Sequence, residues 1–213
     1  MNRQTLTRML AGFGAALVSA ALVGQFWLLC GVIAGQGGTM VSAVWRFLGF
    51  FTILTNILVA LTFTHAALRP QRRTGLGSAR FEAMVAVSIM LVGMVYTAVL
   101  RALWQPTGAQ KWVDAGLHDL APILFVAFWL LRPHGSLRWR QMPLLLVWAL
   151  LYCIYALSRG AADGWYPYPF LDAAKLSSAH LIFNIAVLIG AFAFVSAALT
   201  ALDQWLGRAR RHN

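Results

Sequence analysis

The chain has 213 residues and a formal net charge of +11, yet only 11% of its residues are charged and 60% are hydrophobic. With a mean hydropathy of +0.70, that balance excludes an ordinary soluble domain, because about 20 apolar residues already cross a bilayer. The apolar runs far exceed the ~10 residues of a barrel strand, so the expected class is all-α, a polytopic membrane protein with six spans.

The first span covers residues 8–33, behind Arg3 and Arg8. Its basic start resembles a signal peptide, but the apolar stretch runs on to Val32, too far for an h-region. The second span, 41–68, contains "FFTILTN", with Thr52, Thr55 and Asn56 on neighbouring turns. Each is costly against lipid and is expected to face the bundle interior. On a helical wheel Trp45, Gly49, Thr52, Asn56 and Val59 share one face, with Thr55 at its edge. A continuous helix puts Thr52 roughly 12 Å deep at 1.5 Å per residue. Arg69, Arg72, Arg73 and Arg80 mark the next connection, and the third span, 79–104, carries Tyr96 and Arg101.

The fourth span, 112–132, opens with "KWVDAGLHDLAP". Asp114 stands four residues before His118 on one helical face, so it can hold one imidazole nitrogen and leave the other as a base. Asp119 points about 100° away on an α-helix. Pro122 has no N–H for the His118 carbonyl, which predicts a kink there. Arg132, Arg138 and Arg140 precede the fifth span, 142–159. The connection "SRGAADGWYPYPFLD" leads into the sixth, 177–206, with His180 near its start and Asn184 a turn below. Trp and Tyr in that connection suit a membrane interface or a cavity rim, with Asp172 expected to meet a basic residue such as Arg159.

Lys and Arg alternate between rich and poor connections, and Arg208, Arg210 and Arg211 close the chain. The positive-inside rule then puts both termini in the cytoplasm, as for a multi-pass protein of a bacterial inner membrane. The same placement makes the positive charge a topology signal, with no nucleic-acid partner. Residues 1–213 are expected to form a single six-helix transmembrane domain. Cys30 and Cys153 lie in apolar surroundings and are expected as packed thiols, with no metal and no cofactor. In this topology Thr52, Asn56, Tyr96, His118 and Asn184 come to one level, a polar chamber in the outer half of the membrane.

The stretches "SRGAADGWYPYPFLD", "HDLAPILFVAFWLL", "FFTILTN" and "MVYTAVL" resemble the six-span androgen-induced and androgen-dependent transmembrane protein family, in its bacterial branch. The resemblance covers nearly the whole chain. One departure is Phe128, which stands before Trp129 where relatives often carry an aspartate. The resemblance implies an intramembrane hydrolase of fatty acid esters of hydroxy fatty acids, with Thr52 as nucleophile and His118 as general base at the matching positions. A threonine hydroxyl needs such a base, and the oxyanion needs donors. Asn56, Thr55 and Tyr96 are the candidate donors, Asp114 the orienting group, and Arg46, Arg101 or Lys175 the candidate partners of a substrate carboxylate. Membrane lipids and a lipid ester are the expected partners, and the sequence sets no oligomeric state. Two alternatives stay open: a lipid- or small-molecule-binding or transport protein without chemistry, and a haem protein using His118 and His180.

Overall fold

The computed structural model describes residues 2–209, and every regular element among them is helical. In chain order these are α1 (Arg3–Gly35), α2 (Met40–Phe47), α3 (Phe51–Leu68), α4 (Ala79–Val95), α5 (Arg101–Leu103), α6 (Gly108–Ala115), α7 (Ala121–Leu130), α8 (Met142–Asp163) and α9 (Ser178–Ala209). A π turn, Tyr96–Leu100, joins α4 to α5, and another, Gly116–Leu120, joins α6 to α7. Six helical stretches are long and apolar enough to cross a membrane: α1, α3, α4 to α5, α6 to α7, α8 with its preceding turn, and α9.

The second of these differs from the sequence expectation. Residues 41–68 do not form one helix. The chain leaves helical geometry at Leu48–Phe50, with Phe50 extended at φ −89° and ψ 133°. The 18 residues of α3 alone make the span, a length of roughly 27 Å at 1.5 Å per residue. Thr52 is therefore the second residue of a new helix and not eight residues inside an old one.

The chain forms two compact units that divide between Pro133 and His134. The first holds α1 to α7. Lipid offers apolar side chains no reason to leave it, so these helices associate through close packing. Gly14 of α1 is one such contact: a Cβ there would stand 2.6 Å from the Phe63 ring of α3. Phe63 in turn meets Phe125 and Phe128 of α7, with ring centroids 5.2 and 5.3 Å away, and all three are fully buried. Phe128, the departure from the family pattern, is thus a core side chain. At one end of this unit Glu82 is sealed in and shared by Arg73 at 2.9 Å and Arg132 at 2.7 Å. Arg3 caps the end of α7 by donating to the carbonyls of Leu130, Leu131 and Arg132.

The second unit holds α8 and α9. Asp203 of α9 is buried and accepts from Gly135 N–H at 3.0 Å and Leu137 N–H at 2.9 Å, with His134 Nδ1 at 3.0 Å. Gly207 permits this approach, since a Cβ there would lie 2.4 Å from the Gly135 Cα. At the other end Asn184 donates to the Phe170 carbonyl at 3.0 Å, and the Tyr168 and Phe170 rings stack with centroids 5.1 Å apart. Asp172 pairs with Lys175 at 3.1 Å and accepts from Ala174 N–H. Its partner is a basic residue, as expected, but it is Lys175, three residues on in the same turn, and not Arg159. Arg159 instead donates to the Tyr155 hydroxyl at 2.8 Å.

Candidate active site

The site is built where α3 meets the broken fourth span, and the break begins with proline chemistry. Ala121 N–H donates to the Gly116 carbonyl, five residues back. In an α-helix that N–H would serve the Leu117 carbonyl. The next donor along would be residue 122, but Pro122 has none. The Leu117 carbonyl is thereby left without a donor from its own helix, and a buried carbonyl requires one. Asn56 supplies it: its Nδ2 donates to the Leu117 carbonyl at 3.2 Å and to the Thr52 carbonyl at 2.9 Å. This is why so apolar a segment keeps an asparagine.

The same amide fixes the relation between the two elements that carry Thr52 and His118. The Thr52 carbonyl and the carbonyl just before His118 both bond one –NH2 group. Apolar packing closes the joint, with Ile53 of α3 buried against Leu117 and, on α1, Ala21. Gly116 lets α1 come near, since a Cβ on it would lie 3.0 Å from that of Ala21. Thr52, Thr55 and Asn56 are all buried, the last two completely. Asn56 Oδ1 is sealed from solvent and accepts no hydrogen bond. Asn56, expected as an oxyanion donor, has both N–H groups committed to carbonyls.

His118 is held from the other side. Its Nδ1 lies 3.1 Å from the Asp114 carbonyl oxygen and 3.3 Å from Asp114 Oδ1. Both atoms are acceptors, so Nδ1 carries the proton and Nε2 keeps its lone pair. The Tyr96 ring stacks on the imidazole, with centroids 4.0 Å apart and planes 18° from parallel. The Tyr96 hydroxyl donates to Asp114 Oδ2, so Tyr96, a second of the three expected oxyanion donors, also has its O–H engaged.

Arg101 and Asp119 form a second link between the third and fourth spans. Arg101 stands nearer the loop than Tyr96, while Asp119 stands farther from it than Asp114. In antiparallel helices such links must cross, and the Arg101 guanidinium does lie over the Tyr96 ring, 5.0 Å from its centroid. The sequence reading set Asp119 aside on α-helical geometry. The π turn widens the helix there and brings Asp119 round to Arg101. A proline five residues after Leu117, with no donor for the freed carbonyl on its own helix, was the signal for it.

The remaining candidates belong to other elements. Arg46 is half-buried in the last turn of α2. Lys175 belongs to the second unit, is 83% exposed and is paired with Asp172. His180, in the same unit, has its Nδ1 2.9 Å from the Ser177 hydroxyl.

Neither the curated proteins nor the solved structures contain a match to this sequence. The family model described as FAR-17a/AIG1-like protein matches residues 15–200, nearly the whole chain, and on that match the protein belongs to the FAR-17a/AIG1-like family.

Proposed function

We propose that this protein is an intramembrane hydrolase of lipid esters, such as fatty acid esters of hydroxy fatty acids, with Thr52 as nucleophile and His118 as general base. The observation that carries the reading is the shared Asn56 amide, which ties the backbone of Thr52 to that of the residue preceding His118. A second support is the free lone pair that Asp114 leaves on His118 Nε2.

Nε2 takes the Thr52 proton as Oγ1 attacks the ester carbonyl carbon. The tetrahedral intermediate expels the alcohol oxygen of the hydroxy acid, which leaves with the proton from His118. Water then attacks the acyl-threonine carbonyl, giving one proton to Nε2; the intermediate collapses with loss of Thr52 Oγ1, which takes that proton back from Nε2, and the second acid is released with both residues restored. With the Asn56 and Tyr96 donors committed, the positive end of the α3 dipole favours negative charge beside Thr52, which lies in that helix's first turn. Acyl chains of the substrate lie among the apolar spans. The site stands in the outer half of a bacterial inner membrane, with both termini cytoplasmic and residues 1–213 acting as one six-helix domain.

The test is labelling of purified protein by a fluorophosphonate, which traps an activated hydroxyl. Labelling of wild type that disappears in folded Thr52→Ala supports the reading. Equal labelling of both, or release of acid from a lipid ester by Thr52→Ala, rejects the threonine mechanism. Saturable ligand binding with no product, unaltered by Thr52→Ala, identifies a binding protein instead.

A further inference from the structure

We propose that Tyr96 is a positioning residue of this site, whose ring and hydroxyl together hold the His118 imidazole in one rotamer and one tautomer. The inference deepens the hydrolase reading and rests on it for its catalytic consequence.

Two separate contacts reach the imidazole from Tyr96. One is direct: the stacked rings, 4.0 Å apart at 18°, leave the imidazole one plane in which to lie. The other runs through Asp114, whose two carboxylate oxygens are divided between the partners. Oδ2 takes the Tyr96 O–H, and Oδ1 faces His118 Nδ1. A carboxylate with only one partner turns freely about its last torsion. With two, its plane is set, and so is the direction in which Oδ1 presents itself to Nδ1. Tyr96, Asp114 and His118 thus close a ring of contacts, with Tyr96 5% and Asp114 6% exposed, where water competes little for those bonds.

The stack on His118 occupies one face of the tyrosine ring, so the Arg101 guanidinium lying over that ring takes the other. Arg101 is itself tied to Asp119. The order arginine, tyrosine, imidazole leaves Tyr96 no room to swing away from His118. Local backbone sets this column. Tyr96 opens the π turn, its carbonyl takes the Arg101 N–H, and that wider turn brings residue 101 back over residue 96. A tyrosine that served only as packing would not need its hydroxyl placed on the carboxylate that orients the base.

The experiment uses full-length protein in lipid nanodiscs, with nitrogen-15 in its histidines. His118 is assigned by the signals lost in His118→Gln. Wild type is expected to show His118 protonated on Nδ1 and bare on Nε2. Tyr96→Phe keeps the ring and its stack but removes the O–H, and is expected to show both tautomers. In ester hydrolysis the same variant should lose kcat by about 10- to 100-fold, by analogy with the loss when the partner orienting a metal-bound histidine is removed, with KM unchanged. Tyr96→Leu, which also removes the stack, should lose more. Asp114→Asn disturbs the ring of contacts from its other member and is the second variant should Tyr96→Phe not fold. Wild-type tautomer signals in folded Tyr96→Phe, or in Asp114→Asn in its place, overturn the proposal. Ester hydrolysis at the same kcat in wild type and folded Tyr96→Phe refutes the positioning role and leaves the hydrolase standing. A tautomer that depends on Tyr96 in a protein without hydrolase activity does the reverse.

Discussion

A threonine hydroxyl surrenders its proton only to a base whose lone pair is already aimed at it. If Thr52 and His118 act as one unit, Thr52→Ala and His118→Ala each lower ester hydrolysis by at least about 1,000-fold, and the double variant is little worse than either. Thr52→Ser keeps a hydroxyl and retains part of the activity. Steady-state rates of the four proteins, each with its fold checked by circular dichroism, decide this; additive losses would separate the two residues. Turnover is also expected to fall on acidification, since a protonated imidazole accepts nothing from the threonine. At this scale much was legible in the sequence. Asp114 four residues before His118 is a helical spacing, and polar side chains in apolar spans mark themselves. What the residue list could not give was the direction of each donor: Asn56 and Tyr96 have groups suited to an oxyanion, but two carbonyls and a carboxylate already hold them.

Helices interrupted for a reason carry this site. Pro122 removes the donor that would keep the fourth span α-helical, and the π turn before it delivers His118 and Asp119 together. Pro122→Ala restores an N–H to the ladder. The expected outcome is a protein at least as stable, with the π turn relaxed toward α-helix, His118 rotated off Asp114, and hydrolysis reduced about 10-fold or more, since small misplacements of reacting groups cost that much. Activity unchanged in Pro122→Ala would show that the turn does not set the base. The interruption at Leu48–Phe50 was not legible, because hydropathy runs unbroken across it and a turn of three residues leaves no mark on an apolar average. The π turn at Gly116–Leu120 was half legible: Pro122 marks a carbonyl short of a donor, but the donor that serves it, the Asn56 amide, lies outside that helix, and spacing rules describe one helix at a time. Elsewhere in the first unit, Glu82→Ala strands Arg132 in a buried place without its carboxylate. The expected loss is about 3–5 kcal/mol, read as a lower midpoint of thermal unfolding in detergent; an unchanged midpoint would mean that water reaches the guanidinium.

For the chain as a whole, six helices long and apolar enough to cross a membrane, with large apolar side chains exposed in each unit, describe a multi-pass membrane protein. Val41, Trp112 and Phe194 are 78%, 77% and 73% exposed, values that suit lipid and not water. The number of spans was legible because length and hydropathy alone set it. The charge bias is the ground for the expected orientation. In a variant freed of its own cysteines, Gly164→Cys is expected to react with an impermeant maleimide in intact cells and Gly75→Cys to be protected; the opposite pattern would invert the topology. The buried carboxylate of Asp203 adds a matter of timing. Its partners at residues 134, 135 and 137 precede it by 69, 68 and 66 positions. A chain made from its N-terminus exposes those N–H groups long before their acceptor exists, so during synthesis they bond to water or headgroups in the interim. The turn ahead of α8 is therefore set late, by exchange of those temporary partners for one carboxylate, and a ribosome that stalls within α9 leaves the whole second unit unfastened at that end.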